Sequence, residues 1–267
     1  MKYDIPDIIF EIIPDFPRTS HLPQDPCAKR DDLVWSMTRA KEAMDGCDLV
    51  LVEEKVDGAN CGLCFHDGEV WVRNRNHILR KGYTGRGTPA KDQFAPIWQK
   101  AHDFTKAIKR LAIELELEDC GIYGEWLWAQ HTLGYDLLDK SFLYVFDVWD
   151  PETQRFLDPR RWRPIAEELG FALVPVITEL DPRSIIDGRA AALRYGKSAL
   201  RSPNAPGPSD MAGDREGVYV KCIRDGIVVD RVKAVRRSFA DSMDDHWNDR
   251  PLIRNAARST FKPHHTQ

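Results

Sequence analysis

The sequence predicts an α+β fold made mainly of antiparallel sheets around one core. Strand-like segments greatly outnumber helical ones, and they lack the regular βαβ alternation that parallel sheets need. Two Asp-Gly pairs, at 67–68 and 225–226, stand between apolar runs, where this dipeptide accepts the positive φ of a tight hairpin turn. We expect one large domain over residues 1–239 and a short helical or frayed tail over residues 240–267.

The first half of the chain is predicted to contain one helix near its start, then several strands that include the first hairpin, and then a longer helix. Residues 49–56 are apolar and β-branched, which is typical of a buried strand. Residues 99–119 carry apolar side chains on one face at helical spacing, which predicts a long amphipathic helix. The other elements predicted here are a helix over 32–44 and the hairpin strands 60–65 and 69–74.

The second half alternates short strands with loops. Residues 122–128 and 142–149 have the apolar composition of buried strands, and the Pro- and Gly-rich residues 201–215 predict a loop. The other elements predicted here are a helix over 164–169, a strand over 172–177, the hairpin strands 217–223 and 227–235, and a polar helix from residue 238.

Composition limits the possible partners. The 267 residues contain 38 Lys and Arg against 42 Asp and Glu, so any polyanion must be held by a local patch. No apolar run approaches the roughly 20 residues of a membrane helix, and the chain starts with acidic residues where a signal peptide carries cations. We therefore expect a soluble, cytoplasmic protein with no membrane partner.

Two motif-like segments are weak. Cys61 and Cys64 form a lone CxxC in a strand-like stretch, so buried free thiols are favoured over zinc or redox chemistry. Gly196-Lys197-Ser198 resembles the end of a P-loop, but Ala191 stands where that loop needs glycine.

The informative segment runs from Glu53 to Asn60. Lys55 ends an apolar strand and is followed by Asp, Gly and Asn, residues that form a tight loop. A lysine held at a strand end beside a desolvated cleft loses its proton more easily than one in water, which makes its amine a nucleophile. Asp57 is close enough to place a metal ion or orient the amine. A salt-bridged lysine before a turn is the alternative interpretation.

Other polar and aromatic side chains interrupt apolar strands in the same way. As isolated features, Glu125 and Glu216 fit the solvent face of a strand and Phe146 fits the core. Charges set repeatedly in apolar strands are costly unless they are paired or used, so together they indicate a site. The segments concerned are Gly124-Glu125-Trp126, Tyr144 to Asp147, Glu216 to Lys221 and Arg231 to Arg237.

In order and spacing, these segments resemble the covalent nucleotidyltransferase superfamily of ATP-dependent ligases and mRNA capping enzymes. Over residues 49–239 the chain is most similar to RNA ligases of the nick-sealing (RNA ligase 2-like) type. The resemblance implies an ATP-grasp-like adenylation domain with flanking helices, with ATP and Mg²⁺ or Mn²⁺ as cofactors. RNA ends or a nicked duplex would be the partner in RNA repair. After Phe239 too little sequence remains for an OB-fold, so we expect none.

The resemblance also implies roles for individual residues. It assigns catalysis to Lys55, Lys221 and Lys233, with Lys55 becoming adenylylated and the other two lying on the phosphates. These two cations and a metal would depress the pKa of Lys55. Nucleotide contacts would come from Glu53, Asn60, Arg75, Glu125 on the ribose, Phe146 stacked on adenine, Glu216, Lys221 and Lys233. Metal contacts would come from Asp57, Glu125 and Glu216.

An RNA-binding patch follows from the same resemblance and from a run of cations. No acidic residue lies between Arg73 and Lys91, and Arg73 is the alternative to Arg75 as the phosphate-gripping arginine. A solvated loop with unrelated cations is the alternative. The expected RNA contacts are Asn60, Arg73, Arg75, Arg80, Lys81, Arg86, Arg236 and Arg237.

Two departures from the family pattern leave alternatives open. The last motif is usually KxK, but Val235 replaces its second lysine, and the side chain of Arg236 should point to the opposite strand face. Ligases of this type usually carry a C-terminal domain, which we do not expect in the short tail after Phe239, so we expect weak substrate engagement or a contribution from a protein partner or the tail. An mRNA capping guanylyltransferase, a small DNA ligase and a non-catalytic RNA-end-binding module remain competing hypotheses.

Overall fold

The computed structural model describes residues 5–79, 93–138, 142–242 and 252–258. Its α-helices are α1 (Asp7–Ile12), α2 (Met37–Asp45), α3 (Ala101–Glu114), α4 (Pro159–Glu168), α5 (Arg189–Ala192) and α6 (Arg237–Ser242). Short 3₁₀ helices cover Ala95–Lys100, Pro182–Ile185 and Ser209–Met211. Among the described residues, no helix has the length and apolar character needed to cross a bilayer.

Fourteen strands are found in the described part of the chain. They are β1 (Ser20–His21), β2 (Leu49–Lys55), β3 (Ala59–His66), β4 (Glu69–Asn74), β5 (Ile78–Leu79), β6 (Gly121–Trp126), β7 (Asp136–Leu138), β8 (Leu143–Asp150), β9 (Arg155–Leu157), β10 (Ala172–Leu173), β11 (Val176–Leu180), β12 (Gly217–Arg224), β13 (Ile227–Val235) and β14 (Ala256–Arg258).

One large sheet organises the molecule. Its strand order is β11-β2-β12-β13-β9-β8-β6-β3-β4-β5, and every neighbouring pair along this path is antiparallel. Strands β1 and β10 add parallel to β13 and β8, and β14 pairs in parallel with β7 in a separate ribbon. The prediction of a mixed α+β fold with a large antiparallel sheet is therefore confirmed.

The hairpins form at the predicted turns. Asp67 and Gly68 have φ values of 49° and 83°, and Asp225 and Gly226 have 51° and 77°. The helix predicted over 32–44 is α2, which begins later, at Met37. The side chain of Ser36 accepts a hydrogen bond from a first-turn N–H and so caps this helix. The predicted strand 172–177 is divided into β10 and β11.

The end of the chain packs on the domain where it is described. Residues 252–258 are extended, not helical. The buried side chain of Asn255 accepts from the N–H of Tyr135 and donates to the carbonyls of Leu127 and Ala129. The predicted boundary at 239 falls inside α6.

Three apolar clusters form the core of the described residues. Alternate residues of β2, β12 and β13 build one apolar cluster, which includes Val50, Val220 and Val232. The larger cluster covers β3, β6 and β8. Cys61 and Cys64 are three apart on one strand, so they face opposite sides, and both are buried free thiols. This geometry does not bring them together as a metal or redox pair.

Candidate active site

The site lies where the end of β2 meets the start of its neighbour β12. Lys55 ends β2 and is the register partner of Gly217, the first residue of β12. This pairing brings Nζ of Lys55 to 2.6 Å from Oε1 of Glu216, with the lysine side chain only 25% exposed. Both line a cavity of about 750 Å³. The other predicted site residues in its lining are Glu53, Asp57, Asn60, Arg75, Glu125, Phe146 and Lys233.

The loop after the lysine is fixed by backbone hydrogen bonds. Oδ2 of Asp57 accepts from the N–H groups of Thr132 and Leu133 at 2.7 and 2.8 Å. The N–H of Asp57 donates to the hydroxyl of Tyr135 at 2.7 Å. Asp57 therefore holds the loop against the segment that follows β6, and the loop in turn fixes the position of Lys55.

The charges around Lys55 differ from the prediction. Burial disfavours its ammonium form, but the carboxylates of Glu216, Glu125 and Asp57 outweigh burial and raise its pKa. The direction is opposite to the expected depression by Lys221 and Lys233. Burial also raises the pKa of Glu125 to about 8 and that of Glu216 to about 6. Without nucleotide, Lys55 is an ion-paired ammonium group.

Phe146 reaches the cavity because β8 contains a bulge. Tyr123 pairs with Asp147 and Gly124 with Val145, so Phe146 is the extra residue between them. Its ring lies 6.4 Å from that of Tyr219, with 29° between the planes. The edge contact of Phe16, at 5.3 Å between centroids, supports Phe146 from another side. These rings form an aromatic wall suited to a planar base.

The side chain of Lys221 stabilises the backbone of this bulge. Its ammonium group donates to the carbonyl oxygen of Phe146 and lies 2.8 Å from Oε2 of Glu53 and 3.1 Å from Oδ1 of Asp147. Its side chain is completely buried. Glu53 pairs in addition with Arg163 at 2.9 Å. The phosphate contact expected of Lys221 stays a prediction, but this cation is already neutralised by two carboxylates.

The side chains at the end of β13 lie in different environments. Lys233 lines the cavity, and burial together with the nearby charge of Lys55 lowers its pKa. Val235 is buried. Arg236 turns to Asp214 at 2.7 Å, as alternation along the strand predicts, and so does not replace the second lysine beside Lys233. The RNA contacts expected of Arg236 and Arg237 stay predictions.

Arg73 and Arg75, the two candidate arginines of the first hairpin, also differ in burial. Arg73 is buried, where it pairs with Asp15 and donates to the carbonyl oxygen of Ile13 at 2.5 Å. Arg75 is exposed and lines the cavity, as does Asn60, whose buried Oδ1 has no hydrogen-bond partner among the described residues. The predicted RNA contacts Arg80, Lys81 and Arg86 lie outside the described residues.

The residues fit a metal held through water. Within the described ranges, no three His, Cys, Asp or Glu side chains are grouped closely enough to ligate one ion directly. Oε2 of Glu216 is buried without a hydrogen-bond partner in that part of the chain. Carboxylate oxygens are what Mg²⁺ prefers, and this ion usually keeps several of its waters.

Sequence reasoning missed the N-terminal contribution to the site. Phe16, Thr19, His21 and Asp32 all line the cavity. Thr19 shares a 2.7 Å hydrogen bond with the hydroxyl of Tyr219. The segment has no strand-like run that would have indicated it, since β1 is only two residues long.

The lysine at the end of β2, the carboxylates on β6 and just before β12, and the aromatic wall form the site of a nucleotidyltransferase domain. The family model for RNA ligase matches residues 48–235, and the chain belongs to this family. No match is found among curated proteins.

Solved structures of Naegleria gruberi RNA ligase share the fold. An apo variant has a TM-score of 0.53 at 18% identity, covering 88% of this chain and 61% of that one. A variant with ATP and Mn has 0.51 at 16%, covering 85% and 62%. Another, with AMP and Mn, has 0.52 at 17%, covering 92% and 70%. This chain thus spans just over three-fifths of the first two.

Proposed function

We propose that this protein is an ATP-dependent RNA ligase of the nick-sealing type, with Lys55 as the residue that carries AMP. One observation carries the proposal. Nζ of Lys55 lies inside a cavity that also presents Glu125, Glu216, Phe146 and Lys233, which is the set needed to bind and activate a nucleotide. The RNA ligase family and the ATP- and AMP-bound states of the Naegleria enzyme support it.

The first step is a phosphoryl-type transfer. The neutral amine of Lys55 attacks the α-phosphorus of ATP, an N–P bond forms, the bond to the bridging oxygen breaks, and pyrophosphate leaves. The amine proton goes to Oε1 of Glu216, the acceptor at 2.6 Å, whose pKa burial raises to about 6. The resting ammonium first loses one proton to solvent, and Glu216 then takes the second proton, which the nitrogen releases as the N–P bond forms.

The surrounding residues position the nucleotide. Phe146 provides a face for adenine, Glu125 lies within reach of the ribose side, and Lys233 offsets negative charge on phosphate. A divalent cation, Mg²⁺ or Mn²⁺, held through water by Asp57, Glu125 and Glu216, would neutralise the carboxylates that raise the pKa of Lys55. The same carboxylates thus keep the amine of Lys55 protonated at rest, and their neutralisation by the cation would let this amine lose its proton.

Two further transfers complete the reaction. AMP moves from Lys55 to the 5′-phosphate of an RNA end, and a 3′-hydroxyl then attacks that phosphate and releases AMP. Arg75 and Asn60 line the cavity, which supports a role for both in holding the RNA end. Each RNA phosphate that a cation such as Arg75 neutralises contributes about −0.7 to −0.9 to the slope of the logarithm of the binding constant against the logarithm of salt concentration.

Labelled nucleotides test the proposal. The protein, first treated with pyrophosphate to remove any AMP already attached, is incubated with Mg²⁺ and α-labelled ATP or GTP. We expect label that survives denaturation from ATP only, and none in Lys55→Ala. Label from GTP would favour a capping enzyme, and no label would favour a non-catalytic module. Nicked RNA, nicked DNA and single-stranded RNA then identify the strand that is sealed.

A further inference from the structure

The N-terminal segment lies directly against the strand that carries Lys233. His21 is the register partner of Lys233 across the parallel β1–β13 pair, and the N–H of Leu22 donates to the carbonyl of Lys233 at 2.9 Å. His21 and Lys233 both line the cavity. This segment precedes residues 48–235, which the RNA ligase family model matches.

His21 is held between two carboxylates. Its side chain is 2% exposed, with Nδ1 2.8 Å from Oδ2 of Asp25 and Nε2 3.3 Å from Oδ2 of Asp32. Burial opposes the charge on Asp25, but hydrogen bonds from His21, Cys27 and Arg194 outweigh it and lower its pKa to about 2. Each ring nitrogen therefore faces a carboxylate oxygen.

Asp32 is shared between this ring and the lysine. Its Oδ1 lies 3.4 Å from Nζ of Lys233, and its Oδ2 accepts from the N–H of Lys29 at 2.9 Å. The side chains of Asp32 and Lys233 are 26% and 21% exposed. Unlike the fully buried Asp25, Asp32 has room to move aside. The carboxylate of Asp32 thus lies where an anion would contact both the ring of His21 and the amine of Lys233.

Two other cations in this part of the fold are already paired with carboxylates. Lys221 is buried against Glu53 and Asp147, and Arg236 is paired with Asp214. His21 and Lys233 share a counter-ion that is partly exposed. The triphosphate of a nucleotide carries more charge than one carboxylate and offers more acceptor oxygens, so one of its phosphates competes well for these two groups.

We propose that His21 and Lys233 form a paired site for a phosphate group of the bound nucleotide, and that Asp32 is the counter-ion this phosphate displaces. The inference rests on the proposed function and assigns it a ligand-binding residue outside the matched family region. Asp25 is a positioning residue, because it acts on the phosphate only through His21.

Binding of two probes to the full-length protein tests this site. The α,β-methylene analogue of ATP carries the phosphates but cannot transfer AMP, whereas adenosine lacks them. We expect Asp32→Asn to bind the analogue about tenfold more tightly and His21→Gln about tenfold more weakly, each the equivalent of one charge-assisted contact. Adenosine affinity should stay the same in both variants, measured by calorimetry.

Asp31→Asn is the matched control, since it removes the same charge at the same cavity rim. It should change analogue affinity by less than about twofold, because an exposed charge is screened. Equal effects of Asp31→Asn and Asp32→Asn would overturn the proposal. A loss of adenosine and analogue binding in equal measure by His21→Gln would overturn it too, because that pattern indicates a structural role.

The outcome is separable from that of the proposed function. If Lys55 takes no adenylate but the variants shift analogue binding as expected, the phosphate site stands and the ligase proposal fails. If adenylate forms and both variants bind the analogue like the wild type, the phosphate site fails alone.

Discussion

The backbone N–H of Gly58 donates a 3.0 Å hydrogen bond to Oε1 of Glu125. This bond joins the loop after Lys55 to the C-terminal end of β6, where Glu125 is also the register partner of Asn60 on β3. Glu125 is therefore both a carboxylate of the site and an anchor for the loop that follows Lys55.

The fit of this loop leaves no room for a side chain at position 58. A Cβ there would lie 2.5 Å from a methyl carbon of Leu127 and 2.9 Å from the carbonyl oxygen of Trp126. We expect Gly58→Ala to cost about 1–3 kcal/mol of stability, measured by urea denaturation, and to abolish adenylylation.

Gly68→Ala is the control for that change. Gly68 has open space around it and only its positive φ resists substitution, so we expect a loss of about 1 kcal/mol with adenylylation retained. Adenylylation by Gly58→Ala at the wild-type rate would show that the loop tolerates displacement.

Glu125 makes stability depend on pH. Because burial raises its pKa to about 8, the folded protein holds this proton more tightly than the unfolded chain does, and stability falls as pH rises from about 4.5 to 8. Glu125→Gln keeps an acceptor for Gly58 and cannot ionise. Its unfolding free energy relative to wild type should increase by about 3–4 kcal/mol between pH 5 and pH 8. A difference that is the same at both pH values would contradict the buried, titrating carboxyl.

Lys221 and Lys233 should respond differently to substitution. Lys221→Met leaves Glu53 and Asp147 without their shared cation, so we expect about 3 kcal/mol or more of lost stability. Lys233→Ala breaks one partly exposed pair and should cost less than about 1 kcal/mol while slowing adenylylation. Chemical denaturation and single-turnover labelling measure the two effects. Full stability with slow labelling in Lys221→Met would instead favour a direct phosphate contact.

The arginines of the first hairpin form a second pair for comparison. Arg75→Ala should leave stability within about 0.5 kcal/mol and reduce the salt slope of RNA binding by about 0.7–0.9. Arg73→Ala removes a buried cation that holds Asp15 and the carbonyl of Ile13, so it should mainly lower the melting temperature. The reverse pattern would assign the phosphate contact to Arg73.

Local chemistry made much of the fold predictable. Asp67-Gly68 and Asp225-Gly226 fixed both hairpins, because few other residues accept the positive φ of such turns. The apolar strands around Lys55 and Glu216 were also recognisable. What the local pattern does not contain is strand order, since pairing β2 with β12 joins segments more than 160 residues apart.

The parts of the site that were missed depend on such distant contacts. Charge pattern alone does not distinguish Lys221, neutralised by Glu53 and Asp147, from Lys233, which faces the cavity. The position of His21 beside Lys233 rests on a two-residue strand, too short to show any periodicity. The raised pKa of Lys55 likewise follows from carboxylates that only the folded sheet brings together.

The central claim is that the amine of Lys55 captures AMP. The most direct measurement is intact-protein mass spectrometry followed by peptide mapping, after incubation with ATP and Mg²⁺ and after reversal with pyrophosphate. We expect a gain of one adenylate per chain, located on Lys55, removed by pyrophosphate and absent from Lys55→Arg. An adduct on another residue, or an unchanged mass in protein first freed of AMP, would contradict the account.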